Sequence, residues 1–289
     1  MTRPTIVLIT GCSSGIGLEL IKLFNRAPFQ IIATARGEGL LELGKSDFAH
    51  SEHITIKELN VRDYEQATDL VNWIHSNHGA IDILINNAGV SYRSAIEDMT
   101  PVEEQRQMQI NYLGPLHIIR EALPEMRKRR SGRIINVSSV GGMMAMPTMA
   151  SYSASKFALE GASEALWYEL RPWNINVSLV RPGFINSHAF KKVTASTKRL
   201  ESSSNSPYHS HYENMEAFVA KMMRRTPCTS ENVARRIFKA AQMSTPPLRI
   251  AGTPDARLFQ LLRWFLPRTL YHNLLYRLLP GIKTWGNPK

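Results

Sequence analysis

The sequence predicts an α/β domain in which helices cover both faces of a doubly wound parallel sheet. Short apolar segments alternate along the chain with longer segments of helical period, the pattern of successive strand–helix–strand units. Most of the short segments are apolar on both faces, as strands between two helix layers are. A glycine-rich turn follows the first of them. Because such sheets reach 289 residues around one core, we expect a single domain.

The predicted elements follow from these segments in chain order. Strands are expected at Thr5–Ile9, Gln30–Thr34, Ile54–Glu58, Ile83–Ile85, Arg133–Val137, Asn176–Val180 and Leu248–Ala251. Helices are expected between them at Ile16–Arg26, Tyr64–Asn77, Pro101–Arg129, Ser151–Leu170 and Ser230–Gln242.

Two segments depart from this alternation. Residues 188–227 are rich in Ser, Lys, His and Met, and a loop of this length inside a compact domain is usually functional or disordered. We therefore expect residues 1–255 to form the catalytic domain, 188–227 a variable lid over the substrate, and 256–289 a basic amphipathic helical tail. The apolar lid positions suit either a substrate wall or an anchor to the core: Phe190, Met215, Phe218, Val219, Met222 and Met223.

Composition excludes several classes of protein. The chain is 43% hydrophobic, which argues against disorder, and no apolar run approaches the ~20 residues of a membrane span. The first apolar run begins too early to leave room for a secretory signal, so we expect a cytoplasmic protein or one on a cytosolic membrane surface. Cys12 and Cys228 form no disulfide framework or metal-binding pattern, so neither a metal nor a disulfide is expected.

The net charge of +11 is concentrated in the tail. Residues 256–289 contain six basic side chains and no acidic one, and leucines and aromatic residues alternate with the arginines around Pro267. Such helices are suited to an anionic membrane surface. The alternative is that the leucines cover the protein's own core or a subunit contact. The basic run 127–130 lies at a helix end and is expected to be solvated, so nucleic-acid binding is not expected.

The glycine-rich turn predicts a dinucleotide site of the Rossmann type. "TGCSSGIG" runs from the first strand into the first helix. Gly11 permits the tight turn, Gly15 lets the backbone approach a pyrophosphate, and Gly17 allows close packing of helix on strand. The helix N-terminus then offers N–H groups to the phosphates. Cofactor contacts are therefore expected from Gly11, Ser13, Ser14, Gly15, Ile16 and Gly17, with Cys12 a small apolar neighbour.

The end of the second strand indicates which cofactor binds. Sites that prefer NAD place an acidic residue there for the ribose 2′-hydroxyl, but this strand ends with Ala35 followed by Arg36. A guanidinium matches a 2′-phosphate in charge and geometry. NADP(H) is therefore favoured over NAD(H). The alternative is that Arg36 only caps the loop in water.

A second cluster of residues suggests acid–base chemistry. Tyr152 and Lys156 are four residues apart in a helical segment, so they share one face. A nearby ammonium stabilises a phenolate and lowers the pKa of a tyrosine, which would make Tyr152 a usable acid–base group. Ser139, at the end of the preceding strand, places a hydroxyl where it can hold a substrate oxygen. Its neighbour Ser138 is expected to point to the other side of the chain.

Taken together, the ordered motifs "TGCSSGIG", "NNAG", Asn111, Ser139, "YSASK" and "RPG" resemble the short-chain dehydrogenase/reductase family over about residues 5–187. The resemblance implies that Tyr152 is the general acid–base and that Lys156 binds the nicotinamide ribose and tunes Tyr152. It also implies that Ser139 orients the substrate and Asn111 holds a water. Further cofactor contacts implied by the family are Asn60, Val61, Asn87, Ala88, Gly89, Pro182, Gly183 and Ile185. Asn60 and Ser187 replace a usual Asp and a frequent Thr.

Within the family, "GCSSGIGLEL", "ATAR" and "KFALEG" are similar to the retinol and 17-beta-hydroxysteroid dehydrogenase group. This implies an NAD(P)-dependent enzyme acting on CH–OH groups, with NADP(H) favoured and a steroid, retinoid or lipid-like substrate. The alternative function is a non-catalytic NADP(H)-binding redox sensor or membrane-surface adaptor. By analogy with the family, we expect a homodimer or homotetramer paired through the helices at 101–129 and 151–170.

Overall fold

The computed structural model describes residues 3–186, 194–202 and 205–286. Within these ranges, seven parallel strands form one sheet in the order β3-β2-β1-β4-β5-β6-β7. The order reverses between β1 and β4, where the connections leave in opposite directions and open a crevice at the carboxyl ends of the strands. The predicted doubly wound fold is confirmed. The strands are β1 Thr5–Ile9, β2 Phe29–Ala35, β3 Ile54–Glu58, β4 Ile83–Asn86, β5 Gly132–Val137, β6 Ile175–Arg181 and β7 Arg249–Ala251.

Helices cover both faces of this sheet. In the described ranges they are α1 Gly15–Phe24, α2 Glu38–Gly44, α3 Tyr64–Asn77, α4 Pro101–Met108, α5 Gly114–Arg129, α6 Ala150–Leu170, α7 Thr197–Ser202, α8 His209–Arg225, α9 Ser230–Gln242, α10 Pro254–Phe265 and α11 Arg268–Leu278. Helices α1 and α9 bury apolar residues such as Phe24 and Ile237 on one face. Helices α3 and α5 bury Ile74 and Ile118 on the other. The inner strands of the sheet are buried on both sides, as their sequence predicts, whereas the edge strands β3 and β7 are mostly half-buried.

The single helix predicted at Pro101–Arg129 is wrong in one respect. A π-helical turn at Gln109–Leu113 separates α4 from α5. Pro115 has no N–H to give the carbonyl of Asn111, so a regular helix would lose a bond at this point. Gly114 adds a second constraint, because a Cβ there would lie 2.4 Å from the carbonyl oxygen of Val61. The wider turn directs the Asn111 side chain into the interior.

The prediction of a long loop at 188–227 is also wrong for most of the residues that the structure describes there. Helix α8 buries Tyr212, Met215, Val219 and Met223, which recur at a helical spacing. The polar composition of this segment obscured that period. Two positions predicted to matter here, Ser187 and Phe190, lie outside the described residues.

The tail forms two helices on either side of Pro267, as expected from the sequence. Ala256 and Tyr271 are buried against Val140 and Met143 of the segment before α6. Further along, Trp285 packs with the apolar residues of α8. The tail therefore supports both the domain and the lid. None of the described helices has the length and apolar character needed to cross a membrane.

Candidate active site

The candidate active site is a cavity of about 660 Å³ at the carboxyl ends of the strands. It runs from the glycine-rich turn to the start of α6 and is bounded on the far side by α8. Most of the predicted residues line it: Gly11, Ser13, Ser14, Gly15, Ile16, Arg36, Asn60, Val61, Asn87, Ala88, Gly89, Ser139, Tyr152, Lys156, Pro182, Gly183 and Ile185. Gly17 and Asn111 are not among the described residues that line it.

The glycine-rich turn has the geometry that its sequence predicts. Gly11 and Gly15 adopt φ values of 73° and 60°, which favour glycine. A Cβ on Gly11 would lie 2.8 Å from the Cα of Ala88, and one on Gly17 would lie 2.2 Å from the carbonyl oxygen of Gly11. Gly17 therefore serves the close packing of α1 on the turn rather than lining the cavity.

Thr10 holds this turn against the end of β4, a role that the sequence did not suggest. Its Oγ1 accepts hydrogen bonds from the backbone N–H groups of Asn87 and Ala88, each at 3.0 Å. The Asn87 side-chain amide donates to the carbonyl oxygens of Thr10 and Gly11 at 3.0 and 2.9 Å. Asn87 is therefore a brace between the two loops that form the crevice, as well as a lining residue.

The donor set of the cavity fits a nicotinamide dinucleotide. Within the described residues, Ser14 at the N-cap of α1 makes no side-chain capping bond, which leaves the helix N-terminus able to bind an anion. Arg36 is exposed and lines the cavity directly after β2. Ala35, the last residue of that strand, stands where sites that prefer NAD have an acidic residue. Asn60 lines the same end, and its Oδ1 accepts a hydrogen bond from the N–H of Arg62.

Tyr152 and Ser139 form the catalytic end of the cavity. Burial raises the pKa of Tyr152, while a hydrogen bond with Ser139 and the charge of Arg93 act in the opposite direction. The Ser139 Oγ also accepts from the N–H of Gly141 at 3.1 Å, which fixes its position. Gly141 is needed here, because a Cβ would lie 2.9 Å from the Tyr152 ring. Tyrosine and serine hydroxyls thus converge on one point.

Lys156 lies one helical turn from Tyr152, where it is a buried residue of the cavity wall. Its Nζ donates to the carbonyl oxygen of Val137 at 2.9 Å. Burial lowers the pKa of Lys156 to about 8, and Glu160 opposes this effect. Glu160, which the sequence did not single out, pairs in the interior with Arg181, whose Nε donates to it at 2.8 Å. The lysine is therefore held in a buried charged cluster.

Asn111 is fully buried in the π-helical turn and braces the loop after β4. Its Oδ1 accepts from the N–H of Val90 and its Nδ2 donates to the carbonyl oxygen of Val90, both at 2.9 Å. The Nδ2 also donates to the Ser155 Oγ at 3.0 Å. A Cβ on Gly89 would lie 3.3 Å from the Asn111 Oδ1 and 3.7 Å from the Lys156 Nζ. Asn111 therefore adjoins the lysine from behind the cavity wall.

The substrate end combines a wall of flexible apolar side chains with one buried cation. Val219 and Met223 line it as predicted, together with Met146, Met149 and Phe184, which the sequence did not single out. Met215 and Phe218 pack behind them. Arg93 lies in the same wall and is also new. In the sequence, Arg93 is marked only as a basic residue four positions after Gly89.

The sequence profile described as short chain dehydrogenase matches residues 5–198, which span β1 to the first lid helix. The chain belongs to the short-chain dehydrogenase family. The predicted resemblance is confirmed, and the chain is an oxidoreductase acting on CH–OH groups.

Several curated relatives are similar over much of the chain. Retinol dehydrogenase 8 of Bos taurus is 33% identical over 254 residues, 85% of this chain and 80% of that protein. An uncharacterized oxidoreductase of Bacillus subtilis, YusZ, is 32% identical over 95% of this chain and 98% of its own length. A 3-ketodihydrosphingosine reductase of Bacteroides thetaiotaomicron is 39% identical over 64% of this chain, and the match spans 65% of the reductase, just under two thirds.

Solved structures confirm the fold over nearly the whole chain. A short-chain dehydrogenase from Streptomyces avermitilis has a TM-score of 0.80 at 30% identity, covering 94% of this chain and 96% of that one. A metagenomic short-chain oxidoreductase in complex with NADP has a TM-score of 0.59 at 28% identity, covering 63% of this chain and 85% of that one.

Proposed function

We propose that this protein transfers a hydride between NADP(H) and an alcohol or carbonyl carbon of an apolar substrate. The observation that carries the proposal is the convergence of Tyr152 and Ser139 at one end of a cavity whose other end is the glycine-rich turn. When bound, the nicotinamide supplies or accepts the hydride. The family uses NAD(P), and the NADP-bound relatives favour the phosphorylated form.

The protein's own residues then handle the proton and the developing charge. In the reduction direction, the Tyr152 hydroxyl gives its proton to the substrate oxygen, and the Ser139 hydroxyl donates a hydrogen bond to the same oxygen. Lys156 positions the nicotinamide ribose and contributes positive charge near the phenolate. Asn111 fixes the backbone of Val90 and holds a water for proton transfer behind the cavity wall. The described part of the lid, residues 194–202 and 205–227, covers the substrate end and excludes bulk water from it.

Arg36 supports the choice of NADP(H) over NAD(H). Its guanidinium is suited to a 2′-phosphate, and Ala35 leaves no carboxylate to repel that group. Replacement of Arg36 by Ser should raise the KM for NADPH roughly 10- to 100-fold, the effect of one or two charge-assisted hydrogen bonds, and leave that for NADH little changed. Equal KM changes for both cofactors would contradict this assignment.

The apolar wall and the names of the relatives support the proposed apolar substrate class. The methionines and Val219 suit a flexible hydrocarbon, and the relatives are named for retinol and for 3-ketodihydrosphingosine. The first test is oxidation of NADPH with sterol ketones, retinal and long-chain ketones, with NADH and Tyr152→Phe in parallel. Turnover that disappears in the variant supports the proposal. Tight NADPH binding with no turnover of any carbonyl would instead favour a cofactor-binding protein without catalysis.

We further propose that the tail lies on an anionic membrane surface. Trp264 and Phe265 are 78% and 70% exposed, and Leu270 and Leu278 are exposed on α11. The residues from 256 to 289 include no acidic side chain to repel anionic headgroups. Vesicles containing phosphatidylserine should therefore bind the protein, and neutral vesicles should bind it more weakly. The double variant Trp264→Ser, Phe265→Ser should lose this binding, whereas equal binding by the variant would contradict it.

For the assembly, we propose a homodimer or homotetramer paired through α4, α5 and α6, the helices at 101–129 and 151–170, because members of the family are typically oligomeric. Leu113 beside α5, and Phe157 and Tyr168 on α6, are exposed apolar residues on these elements. Light scattering should give a mass of two or four chains. A double charge substitution, Leu113→Glu with Tyr168→Glu, should shift that mass to one chain, and an unchanged mass would exclude this surface.

A further inference from the structure

Two adjacent stripes of helix α8 make contacts with other parts of the molecule. One stripe carries Val219 and Met223, which line the substrate end of the cavity. The other carries His211, Asn214 and Phe218, spaced three and four residues apart, so that they share a helix face. None of these three is among the described residues that line the cavity. The second stripe therefore serves a contact other than the one with substrate.

The end of the tail packs on this second stripe. The Trp285 and His211 rings lie 4.5 Å apart, measured between their centroids. Gly281 lies so close to Asn214 that a Cβ on it would be 2.7 Å from the Asn214 Cγ. Leu279 and Trp285 also pack against the apolar cluster to which the cavity-lining residues of α8 belong. The tail end thus supports this part of the cavity wall from outside the cavity.

The tail is anchored to the body of the domain and not only to the lid. Ala256 and Tyr271 are buried against Met143 and its apolar neighbours in the segment between β5 and α6. Met146, in the same segment, lines the cavity and packs against both the cluster under the tail and the cluster of α8. Because the tail has this separate anchor, its end limits how far the side chains of α8 can move away from the cavity.

Helix α8 is also held near its start by buried hydrogen bonds. The Tyr212 hydroxyl donates to the Asp98 carboxylate at 2.5 Å and accepts from the N–H of Ala95 at 3.0 Å. These bonds and the tail end fix the position of the helix, while its unbranched methionine side chains can still change shape. The space at the substrate end therefore depends on how far those side chains can move toward the tail end.

We propose that Trp285 determines how long a hydrocarbon chain the substrate end accepts. This inference rests on the proposed function and adds a specificity-determining residue to it. Trp285 is not among the described residues that line the cavity, so it acts as a positioning residue through Met215 and Phe218. Among the residues that the structure describes, its indole N–H has no hydrogen-bond partner, so its contribution is the volume of its ring. A smaller side chain leaves space into which the wall can move, and a longer substrate can fill that space.

The test measures kcat/KM with NADPH for straight-chain ketones that differ only in length, from 2-octanone to 2-octadecanone, supplied as cyclodextrin complexes without lipid vesicles. In the wild-type protein, kcat/KM should rise about fourfold for each buried methylene and stop rising where the chain meets the wall. In Trp285→Ala, the rise should continue to longer ketones. The ratio of kcat/KM for 2-octadecanone to that for 2-octanone should then increase about 10-fold. The Kd of NADPH, followed by the fluorescence of its reduced nicotinamide, should stay unchanged.

Graded variants assign the effect to the ring of Trp285. Trp285→Phe keeps most of the packing and should raise the ratio about threefold, which decides the matter if the alanine variant fails to fold. Leu279→Ala, in the same cluster, should shift the ratio in the same direction. Tyr276→Ala is the matched control, because it removes an aromatic ring of the same tail that is 60% exposed on α11. It should leave the ratio unchanged.

The outcomes separate this inference from the proposed function. An unchanged ratio in the Trp285 variants, with a lower Tm and an equal loss of kcat for all ketones, would give Trp285 a purely structural role. It would overturn the inference and leave the oxidoreductase proposal intact. An equal rise of the ratio in Tyr276→Ala would also overturn it, because the effect would not depend on contact with α8. No turnover of any ketone by the wild-type protein would contradict the proposed function itself, and this inference with it.

Discussion

Two regions of the molecule hold their functional side chains in different ways. The frame, made of strands β1–β6 and helices α1–α6, fixes its residues through buried hydrogen bonds, such as those of Thr10 and Asn111. The cover, made of α7, α8, α10 and α11, makes buried hydrogen bonds at Asp98, but otherwise relies on partly exposed ion pairs and on helices whose outer apolar residues are exposed. Buried polar contacts are costly to break, whereas exposed pairs exchange with water. The chemistry therefore lies on the rigid region and the substrate contacts on the adjustable one.

The largest contrast is expected between two tyrosines, one in each region. Tyr152→Phe should lower kcat roughly 100- to 10,000-fold, since it removes the acid–base group, with little change in NADPH affinity. Tyr212 in the cover gives its hydroxyl proton to a bond with Asp98 at 2.5 Å and accepts from the N–H of Ala95. Tyr212→Phe should instead cost about 1–3 kcal/mol in stability, because Asp98 and Ala95 lose a buried partner.

Steady-state kinetics and thermal unfolding of both variants measure this contrast. A Tyr212→Phe variant as inactive as Tyr152→Phe, at full stability, would erase the distinction between the two regions. Normal turnover by Tyr152→Phe would remove Tyr152 from the chemistry.

Two arginine–glutamate pairs offer a comparison in stability. Glu160 is 6% exposed in the frame and pairs with Arg181, and Arg249 lies 3.5 Å from it. Glu216 is 57% exposed in the cover and pairs with Arg199. Glu160→Ala should lower the free energy of unfolding by about 3–5 kcal/mol, because it leaves a buried charge without its partner. Glu216→Ala should cost less than about 1 kcal/mol.

Denaturant titration of the two glutamate variants gives both values. Equal losses in the free energy of unfolding would mean that the cover is as rigid as the frame. That result would contradict the distinction between the two regions.

The pH dependence of alcohol oxidation tests the frame on a finer scale. Oxidation needs the phenolate form of Tyr152, so its rate rises as the pH passes the pKa of that group. The hydrogen bond from Ser139 lowers this pKa. Ser139→Ala should therefore raise the pKa and move the rising limb of the profile to higher pH by about 1 unit, the effect of one hydrogen bond to a charged group.

Ser138→Ala is the matched control for this shift, because it removes the neighbouring hydroxyl, which is buried in the same loop. If the rising limb of the pH profile keeps its position in Ser139→Ala, or shifts by the same amount in Ser138→Ala, then Ser139 does not lower the pKa of Tyr152.

The smallest effect is expected on the outer face of the tail. Trp264→Ser should change the free energy of unfolding by no more than about 0.5 kcal/mol, because its ring is already in contact with water. Phe24→Ala, at a fully buried aromatic position of the frame, should cost about 3–5 kcal/mol. Calorimetry compares the two. A large loss in Trp264→Ser would place that ring in a subunit contact rather than at a free surface.

Much of the frame was predictable because its signals are local. Strand β1, strand β3 and helices α3 and α9 have the predicted bounds, since strand and helix periods are set by neighbouring residues. The turn from Gly11 to Gly17 was equally clear. The lid helix α8 was missed because polar residues diluted its period, and the π-helical turn was missed because it depends on Pro115 and on the distant Val61.

By itself, the sequence determined the alternation of the seven strands with their main connecting helices, the glycine-rich turn, and the pairing of Tyr152 with Lys156 on one helix face. It also showed a basic tail, but left open which of its residues are exposed. Only the tertiary structure placed Arg93 in the same cavity as Tyr152, Glu160 against Arg181, and Trp285 against the lid. The reason is physical: backbone periodicity acts between neighbours in the chain, whereas these contacts join residues that meet only after the sheet and its cover have packed.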